Sequence, residues 1–262
     1  MKDLHEILDD VKELAKKVGS IQLINFRKEN LYIESKSTAI DLVTEVDKLS
    51  EEIILNHLKN VYPNHGILSE ESGKFDKESD YLWVVDPLDG TNNYANGIPI
   101  FAISIALQYK VETMLGVVYA PYINEMFSAI KGEGAFLNQR KLRIGTKNSL
   151  VQSIVATGFP YDKATHKANN ITYTTAIVPK VRGFRRCGAA AVDLSYVAAG
   201  FFDGYWEMNI NLWDVAAGIL LVEEAGGKVV NFRDDRKISI IAGNETICNL
   251  LLNEVQEVDK NY

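Results

Sequence analysis

Residues 83–94, WVVDPLDGTNNY, decide how the rest of the chain is interpreted. The apolar run at the start of this stretch predicts a buried strand that ends at Asp86. Because Pro87 fixes its own φ and Gly90 permits a tight turn, the D-P-x-D-G sequence can direct both aspartates and the Leu88 carbonyl toward one point. Oxygen ligands of this kind suit a hard cation such as Mg²⁺, but Asp, Pro and Gly are also the ordinary residues of an exposed turn.

The residues that follow Asp89 favour an anion site beside that cation site. Gly90 and Thr91 offer backbone N–H groups at the predicted start of a short helix. Helix N-termini bind phosphate because their first N–H groups have no partner within the helix. The stretch therefore indicates phosphate chemistry, unless it is only a surface turn.

Further carboxylates stand at the ends of other predicted elements. Glu70 follows a short apolar run, Asp214 stands at the start of a helix, and Asp41 and Asp47 flank the sequence LVTEV. A simpler interpretation stays open for each of them. Glu70 can belong to a solvated loop, and the three aspartates can serve as helix caps.

Composition excludes several classes of protein. The chain has 262 residues, 47% of them hydrophobic, and a formal net charge of −7, which argues against a nucleic-acid scaffold and for a folded, soluble protein. No apolar run approaches the roughly 18 residues that a membrane span requires. The cysteines, Cys187 and Cys248, form no CxxC pair, and the charged N-terminus lacks the core of a secretory signal. We expect a cytoplasmic protein.

The order of predicted elements indicates a mixed α/β chain with antiparallel β-structure in its first half. Amphipathic helices are predicted near both ends, the first weakening or ending at Gly19. A layered sandwich of helices and sheets fits this order. A polar stretch near residue 150 suggests an N-terminal α+β part, residues 1–150, that carries the metal-binding motifs. Residues 151–262 would be a C-terminal α/β part that completes the site within one compact unit.

Together these motifs resemble the signatures of the inositol monophosphatase family. Members of this family are Mg²⁺-dependent, lithium-sensitive phosphomonoesterases. Residues 86–94 match D-P-[IL]-D-G-T-x-N-[FY], and residues 213–218 match W-D-x-A-A-G. The resemblance extends to DLVTEVD at 41–47, EES at 70–72 and CGAAAVDL at 187–194, and so covers nearly the whole chain.

The resemblance implies a layered αβαβα sandwich, a homodimer, and two to three Mg²⁺ ions per site. The implied metal ligands are Glu70, Asp86, the Leu88 carbonyl, Asp89 and Asp214. The implied catalytic residues, including the pair that orients the attacking water, are Asp47, Glu70 and Thr91. The implied substrate-binding residues are Asp89, Gly90, Thr91, Gly188, Ala189, Ala190 and Glu207. Ala189 departs from the many family members that carry Ser or Thr there, which removes one possible hydroxyl contact.

The activity that follows from the resemblance is hydrolysis of inositol 1-phosphate or a similar polyol phosphate. NADP(H) 2′-phosphatase or fructose-1,6-bisphosphatase activity, alone or as a dual specificity, is the alternative. A regulatory partner of the RNA-synthesis machinery is the non-enzyme alternative. The partner expected is a small phosphate ester, with no nucleic acid and no membrane.

Several cationic side chains have no assigned role at this stage. Arg182, Arg185 and Arg186 can belong to a solvated or dimer-interface strand, or can recognise a second substrate phosphate. Lys36 can balance the carboxylates near the metals or lie on the surface. Cys187 is expected to be a packing residue rather than a nucleophile.

Overall fold

The computed structural model describes residues 3–35, 40–75 and 77–260. Its α-helices are α1 (Leu4–Asn25), α2 (Glu45–Val61), α3 (Thr91–Ala95), α4 (Ile171–Ile177), α5 (Ala190–Ala198), α6 (Leu212–Glu224) and α7 (Glu245–Lys260). The strands of the first half are β1 (Ile33–Ser35), β2 (Leu42–Thr44), β3 (Gly66–Ser69), β4 (Gly73–Phe75), β5 (Tyr81–Asp89), β6 (Ala102–Tyr109), β7 (Glu112–Ala120), β8 (Glu125–Ile130), β9 (Gly134–Leu137) and β10 (Arg140–Lys141). Those of the second half are β11 (Ile154–Thr157), β12 (Gly183–Arg185), β13 (Gly204–Ile210), β14 (Lys228–Asn231) and β15 (Ile238–Gly243).

The strands form two large sheets and one small hairpin. The eight-stranded sheet has the order β10-β9-β8-β7-β6-β5-β3-β4, and the five-stranded sheet has the order β12-β11-β13-β15-β14. The consecutive pairs from β5 to β10 are antiparallel, whereas β3 and β5 run parallel. In the second sheet β11 runs parallel to both of its neighbours. Strands β1 and β2 pair separately.

Alternation of side chains along the strands builds the layers. Trp83 and Val85 of β5 point to a core formed with α1 and α2, whereas Val84 points to a second core formed with α5 and α6. That second core also contains Tyr205 of β13, while its neighbour Trp206 packs with α4 and α7 in a third core. The layers are therefore helix, sheet, helix, sheet, helix, which confirms the predicted αβαβα sandwich.

Helix α1 continues past the point where the sequence predicted its weakening or end. Gly19 is buried, and a Cβ built there would lie 2.6 Å from a ring carbon of Tyr119. The glycine therefore marks a close approach of α1 to β7 rather than a helix terminus. One turn later, Gln22 is fully buried and donates to the Pro87 carbonyl at 2.8 Å, which joins α1 to the D-P-x-D-G stretch.

Strand β5 also extends further than predicted. Pairing with β6 continues from Asp86 to Asp89, with a bulge between them. Pro87 has no N–H group to donate to the ladder, and such a residue is tolerated at a bulge. The two aspartates thus stand on a distorted strand end rather than on a free turn. No helix in the described part of the chain is long and apolar enough to span a membrane.

Candidate active site

The parallel pairing of β3 with β5 places Glu70 beside Asp86. Glu70 directly follows β3, and its N–H donates to the carbonyl of Val85 at 3.2 Å. Asp86 is the next residue of β5. Both carboxylates therefore lie at the same edge of the sheet, and Asp86 is only 1% exposed. Glu70 lies in the turn that follows β3 and is partly buried, and the hydrogen bond of its N–H group anchors this turn to strand β5.

Asp89 meets the N-terminus of α5 from the second half of the chain. Its Oδ2 accepts from the Ala191 N–H at 2.7 Å and its Oδ1 from the Ala190 N–H at 3.2 Å. Asp214 lies in the first turn of α6 and accepts from the Asn211 N–H at 2.7 Å. Both carboxylates bind backbone groups at helix starts, where negative charge is favoured. Asp214 is therefore not the N-cap itself but the N3 residue of a capping box whose N-cap is Asn211.

Thr91 and Asp47 form a buried hydrogen-bonded pair. The Thr91 hydroxyl donates to Asp47 Oδ1 at 2.6 Å and lies 3.1 Å from the Leu88 carbonyl. Asp47 Oδ2 accepts from the Thr44 N–H at 2.9 Å, as part of a capping box at the start of α2. Asp47 therefore caps α2 and also fixes the rotamer of Thr91, which begins α3.

Gly90 permits the turn that leads into α3. Its φ is +91°, and a Cβ there would lie 2.9 Å from the carbonyl oxygen of Ile100. The Asn93 amide then donates at 2.8 Å to the carbonyls of Ile100 and Cys187. The D-P-x-D-G-T stretch is thereby tied to the segment that begins α5.

Glu207 enters from β13, on the opposite sheet. It is 9% exposed, and its carboxylate accepts a hydrogen bond from the Tyr205 hydroxyl. A Cβ at Gly158 would lie 2.0 Å from Glu207 Oε1, so this position must be glycine for the carboxylate to keep its place. Nothing in the residues around Gly158 or Glu207 indicates this packing in advance.

A cleft of about 680 Å³ brings these groups together, a volume typical of small-molecule sites. All the predicted site residues line it except Asp47, which lies behind Thr91. The predicted residues on its wall are Glu70, Asp86, Leu88, Asp89, Gly90, Thr91, Gly188, Ala189, Ala190, Glu207 and Asp214.

Asp86, Asp89 and Glu207 are protonated more readily than ordinary carboxylates, because each has a raised pKa. Burial, followed by the charges of Glu70, Asp89 and Asp214, raises the pKa of Asp86 well above its usual value. Burial, opposed by the α5 amides, raises the pKa of Asp89 to about 7. Burial, opposed by the Tyr205 hydrogen bond, likewise raises the pKa of Glu207 to about 7. The cleft thus concentrates negative charge that a cation would stabilise.

The donor chemistry of this cluster fits Mg²⁺, although the side chains are not closed around one point. Among residues 3–35, 40–75 and 77–260, no group of three or more His, Cys, Asp or Glu side chains is arranged to enclose an ion. The mutual effects on pKa nevertheless show that Glu70, Asp86, Asp89 and Asp214 interact. Buried carboxylates repel one another until a cation neutralises them, and carboxylate and carbonyl oxygens are the donors that Mg²⁺ prefers.

Several lining residues were not assigned a role from the sequence. Lys163, Arg186 and Lys237 are cationic, and Asp193 is buried with an Oδ1 that has no hydrogen-bond partner. Asp193 is recognised as a residue of the cleft only from its buried position in the fold. The three arginines considered together are all exposed, and of these only Arg186 lines the cleft.

Two other residues considered from the sequence have different outcomes. Burial raises the pKa of the Cys187 thiol, which is hydrogen-bonded to Asp193, so this cysteine is not an activated nucleophile. Lys36 lies outside the described residues.

Comparison with known proteins identifies the family. The family model described as "Inositol monophosphatase family" matches residues 3–260. The chain belongs to the inositol monophosphatase family. Membership of the family confirms the resemblance found in the sequence motifs, and it makes the protein a phosphatase of a metal-dependent family.

Similar members of the family carry two kinds of name. "Nus factor SuhB" of Pasteurella multocida is 40% identical over 97% of each chain, and "Inositol-1-monophosphatase" of Mesorhizobium japonicum is 38% identical over 96% of each. The crystal structure of extragenic suppressor protein suhB from Bartonella henselae is 39% identical and has a TM-score of 0.89, covering 96% of this chain and 98% of that one.

Proposed function

We propose that this inositol monophosphatase family member is a Mg²⁺-dependent phosphomonoesterase that hydrolyses inositol 1-phosphate or a similar polyol phosphate. The observation that carries the proposal is one cleft that contains the acidic cluster, two helix N-termini and the Thr91–Asp47 pair. Glu70, Asp86, Asp89, Asp214 and the Leu88 carbonyl would hold the cations. When bound, two to three Mg²⁺ ions would neutralise the phosphate and the leaving alkoxide and lower the pKa of water.

The Thr91–Asp47 pair is suited to take a proton from the attacking water. The Thr91 hydroxyl already donates to Asp47, so its lone pairs remain free to accept a hydrogen bond from water. As the water attacks phosphorus, its proton passes to Thr91 Oγ1 while the Thr91 proton passes to Asp47. The ester P–O bond breaks at the same time, and the alkoxide leaves and takes a proton from solvent water. Burial raises the pKa of Asp47, which makes this carboxylate a better proton acceptor.

The wall opposite the acidic cluster is suited to a polyol. Glu207 Oε2 is occupied by the Tyr205 hydroxyl, and the other carboxylate oxygen can accept a hydrogen bond from a sugar hydroxyl. The segment from Gly188 to Ala190 lines the same part of the cleft with backbone groups. A cyclitol held between these elements would present its phosphate to Gly90 and Thr91.

The main alternative to a polyol monophosphate is a substrate that carries a second anionic group, and one observation favours it. Lys163, Arg186 and Lys237 all line the cleft, although its centre is acidic. NADP(H) and fructose 1,6-bisphosphate each carry additional phosphate that such cations attract. Activity on these substrates, alone or beside inositol 1-phosphate, is therefore the second candidate function.

A substrate panel tests the proposal. Phosphate release is measured with inositol 1-phosphate, NADP(H), fructose 1,6-bisphosphate and 3′-phosphoadenosine 5′-phosphate, in Mg²⁺ and in EDTA. We expect the highest kcat/KM for inositol 1-phosphate and no turnover in EDTA. Activity that persists in EDTA would contradict the metal-dependent mechanism, and a preference for a bisphosphate would replace the substrate assignment.

Lithium provides an independent check of the second cation position. Li⁺ is close to Mg²⁺ in size but carries half its charge, so it can occupy the position made by Asp86, Asp89 and Asp214 without supporting turnover. We expect uncompetitive or noncompetitive inhibition with respect to substrate. Insensitivity to Li⁺ would show that this position differs from the one we propose.

A role as a regulatory protein partner is the candidate outside catalysis, since one relative is named "Nus factor SuhB". An experiment can separate the two roles. If RNA synthesis responds equally to the wild-type protein and to a variant without phosphatase activity, a regulatory role exists apart from the enzyme.

We also propose that the chain forms a homodimer. Sedimentation equilibrium measures the mass of the protein in solution and so tests this proposal.

A further inference from the structure

Glu51 is a buried carboxylate outside the cleft that the function described above does not use. It lies on α2, one helical turn after Asp47, so that both residues occupy the same face of the helix. Glu51 is 5% exposed. Whereas Asp47 contacts Thr91, Glu51 contacts the turn between β3 and β4, which carries Glu70.

The contacts of Glu51 enclose the backbone of Glu70. Glu51 Oε1 accepts from the N–H groups of Glu71 and Ser72, each at 3.1 Å, and from the Ser69 hydroxyl. Its Oε2 accepts from the Ser72 hydroxyl. The donors stand on both sides of Glu70 in the sequence. The N–H group of Glu70 itself donates to the carbonyl of Val85 in β5.

A carboxylate is the side chain that can accept from all four donors of this arrangement. Four donors converge on its two oxygens, and a glutamine can accept through only one of them because its nitrogen is a donor. A fixed negative charge so close to the acidic cluster is electrostatically unfavourable in the metal-free protein. Its contribution is therefore the number and direction of its hydrogen bonds.

We propose that Glu51 is a positioning residue that holds the Glu70 turn in the geometry required for Mg²⁺. The inference rests on the proposed function, because it assumes that Glu70 binds the ion. Outer partners of metal ligands typically change metal affinity by about 10–100-fold when they are replaced. Glu51 acts through the backbone on either side of the ligand and does not contact the ion itself.

The test compares Glu51→Ala and Ser72→Ala with Glu52→Gln. Ser72→Ala removes one hydrogen bond and keeps the charge of Glu51, and it also serves if Glu51→Ala does not fold. Glu52→Gln removes one negative charge from the adjacent, exposed position of α2. Hydrogen exchange of the Glu71 and Ser72 amides is measured in EDTA, and the Mg²⁺ dissociation constant is measured by calorimetry.

We expect faster exchange at both amides in Glu51→Ala and Ser72→Ala, and wild-type exchange in Glu52→Gln. The Mg²⁺ dissociation constant should rise about 10-fold or more in Glu51→Ala. It should rise less in Ser72→Ala and stay unchanged in Glu52→Gln, while kcat at saturating Mg²⁺ recovers in all three. Wild-type exchange or affinity in Glu51→Ala, or an equal effect in Glu52→Gln, would overturn this inference and leave the proposed function intact. Failure of the wild-type protein to bind Mg²⁺ would overturn the proposed function as well.

Discussion

Asp86 is a buried carboxylate that is unfavourable for folding of the metal-free protein and that we propose to be required for activity. Burial and three acidic neighbours raise its pKa, so the folded metal-free protein binds its proton more tightly than the unfolded chain does. Metal-free stability should therefore decrease as the pH rises from the usual Asp pKa toward neutrality. Mg²⁺ would remove this penalty by neutralising the cluster.

We expect Asp86→Asn to lower turnover by more than the roughly 10–100-fold that follows loss of an outer metal partner. The same change should raise the Tm of the metal-free protein at neutral pH, because it removes a repelling charge. Phosphate release and thermal unfolding in EDTA measure the two effects. Appreciable turnover in the variant would contradict the assignment of Asp86 as a shared metal ligand.

Thr91 and Asp47 should behave as one unit. We expect Thr91→Ala to lower kcat by about 10²–10⁴-fold with little change in KM, because a proton acceptor acts mainly in the transition state. Asp47→Asn should have a similar effect, and the double variant should be no worse than the more severe single one. Thr175→Ala, on the exposed face of α4, is the matched control. Additive losses in kcat would mean that the two side chains act separately.

Glu207 is expected to govern the choice of substrate rather than the chemical step. Glu207→Gln should lower kcat/KM for inositol 1-phosphate about 10-fold or more, since a hydrogen bond to a charged acceptor contributes roughly 1.5–3 kcal/mol. Inhibition by Li⁺ should be unchanged. Kinetics with inositol 1-phosphate and NADP in both proteins give the answer, and equal losses for the two substrates would show that Glu207 does not recognise the polyol.

At the scale of elements, a substitution of Gly19 at the contact of α1 with β7 has two opposing effects on the stability of the fold. Replacing a helical glycine with alanine contributes about 1 kcal/mol of helix propensity, whereas overpacking a core typically costs about 1–3 kcal/mol. The Cβ of Gly19→Ala would lie 2.6 Å from the Tyr119 ring and 2.9 Å from Pro121, so we expect net destabilisation. Denaturant unfolding measures it, with the exposed neighbour Ser20→Ala as the control. A stabilised Gly19→Ala protein would show that the ring moves away at little cost.

At the scale of the whole molecule, the proposed metal site connects the two halves of the chain. Glu70 and Asp86 come from the eight-stranded sheet, whereas Asp214 comes from α6, between the sheets. Mg²⁺ should therefore stabilise the entire fold, by about 2.7 kcal/mol at a concentration 100-fold above its dissociation constant.

We expect Mg²⁺ to raise the Tm of the wild-type protein and to raise that of Asp214→Asn much less. Thermal unfolding is measured over a range of Mg²⁺ concentrations, and NaCl at matched ionic strength controls for general salt effects. An equal rise in both proteins would indicate that Asp214 does not contribute to ion binding.

The local sequence was sufficient for features that depend on neighbouring residues. The sequence predicted antiparallel β-structure in the first half and a helix that begins near Asp214, and the motif at 83–94 indicated carboxylates, a glycine turn and a helix start close together. Short edge elements such as β4 and β12 were not predicted, because their residues pack too little to leave a period. The extent of α1 was wrong because a glycine's effect depends on what packs against it.

Only the tertiary structure decided which distant residues meet. Parallel pairing of β3 with β5 sets Glu70 beside Asp86, and the position of α5 supplies amides to Asp89 from a hundred residues away. The support that Glu51 gives to the Glu70 turn, and the room that Gly158 leaves for Glu207, have no local signature in the sequence. Hydrogen bonds and steric limits between segments far apart in the chain exist only once the layers have packed, and for this reason the sequence indicates the chemistry of the site whereas the fold determines its geometry.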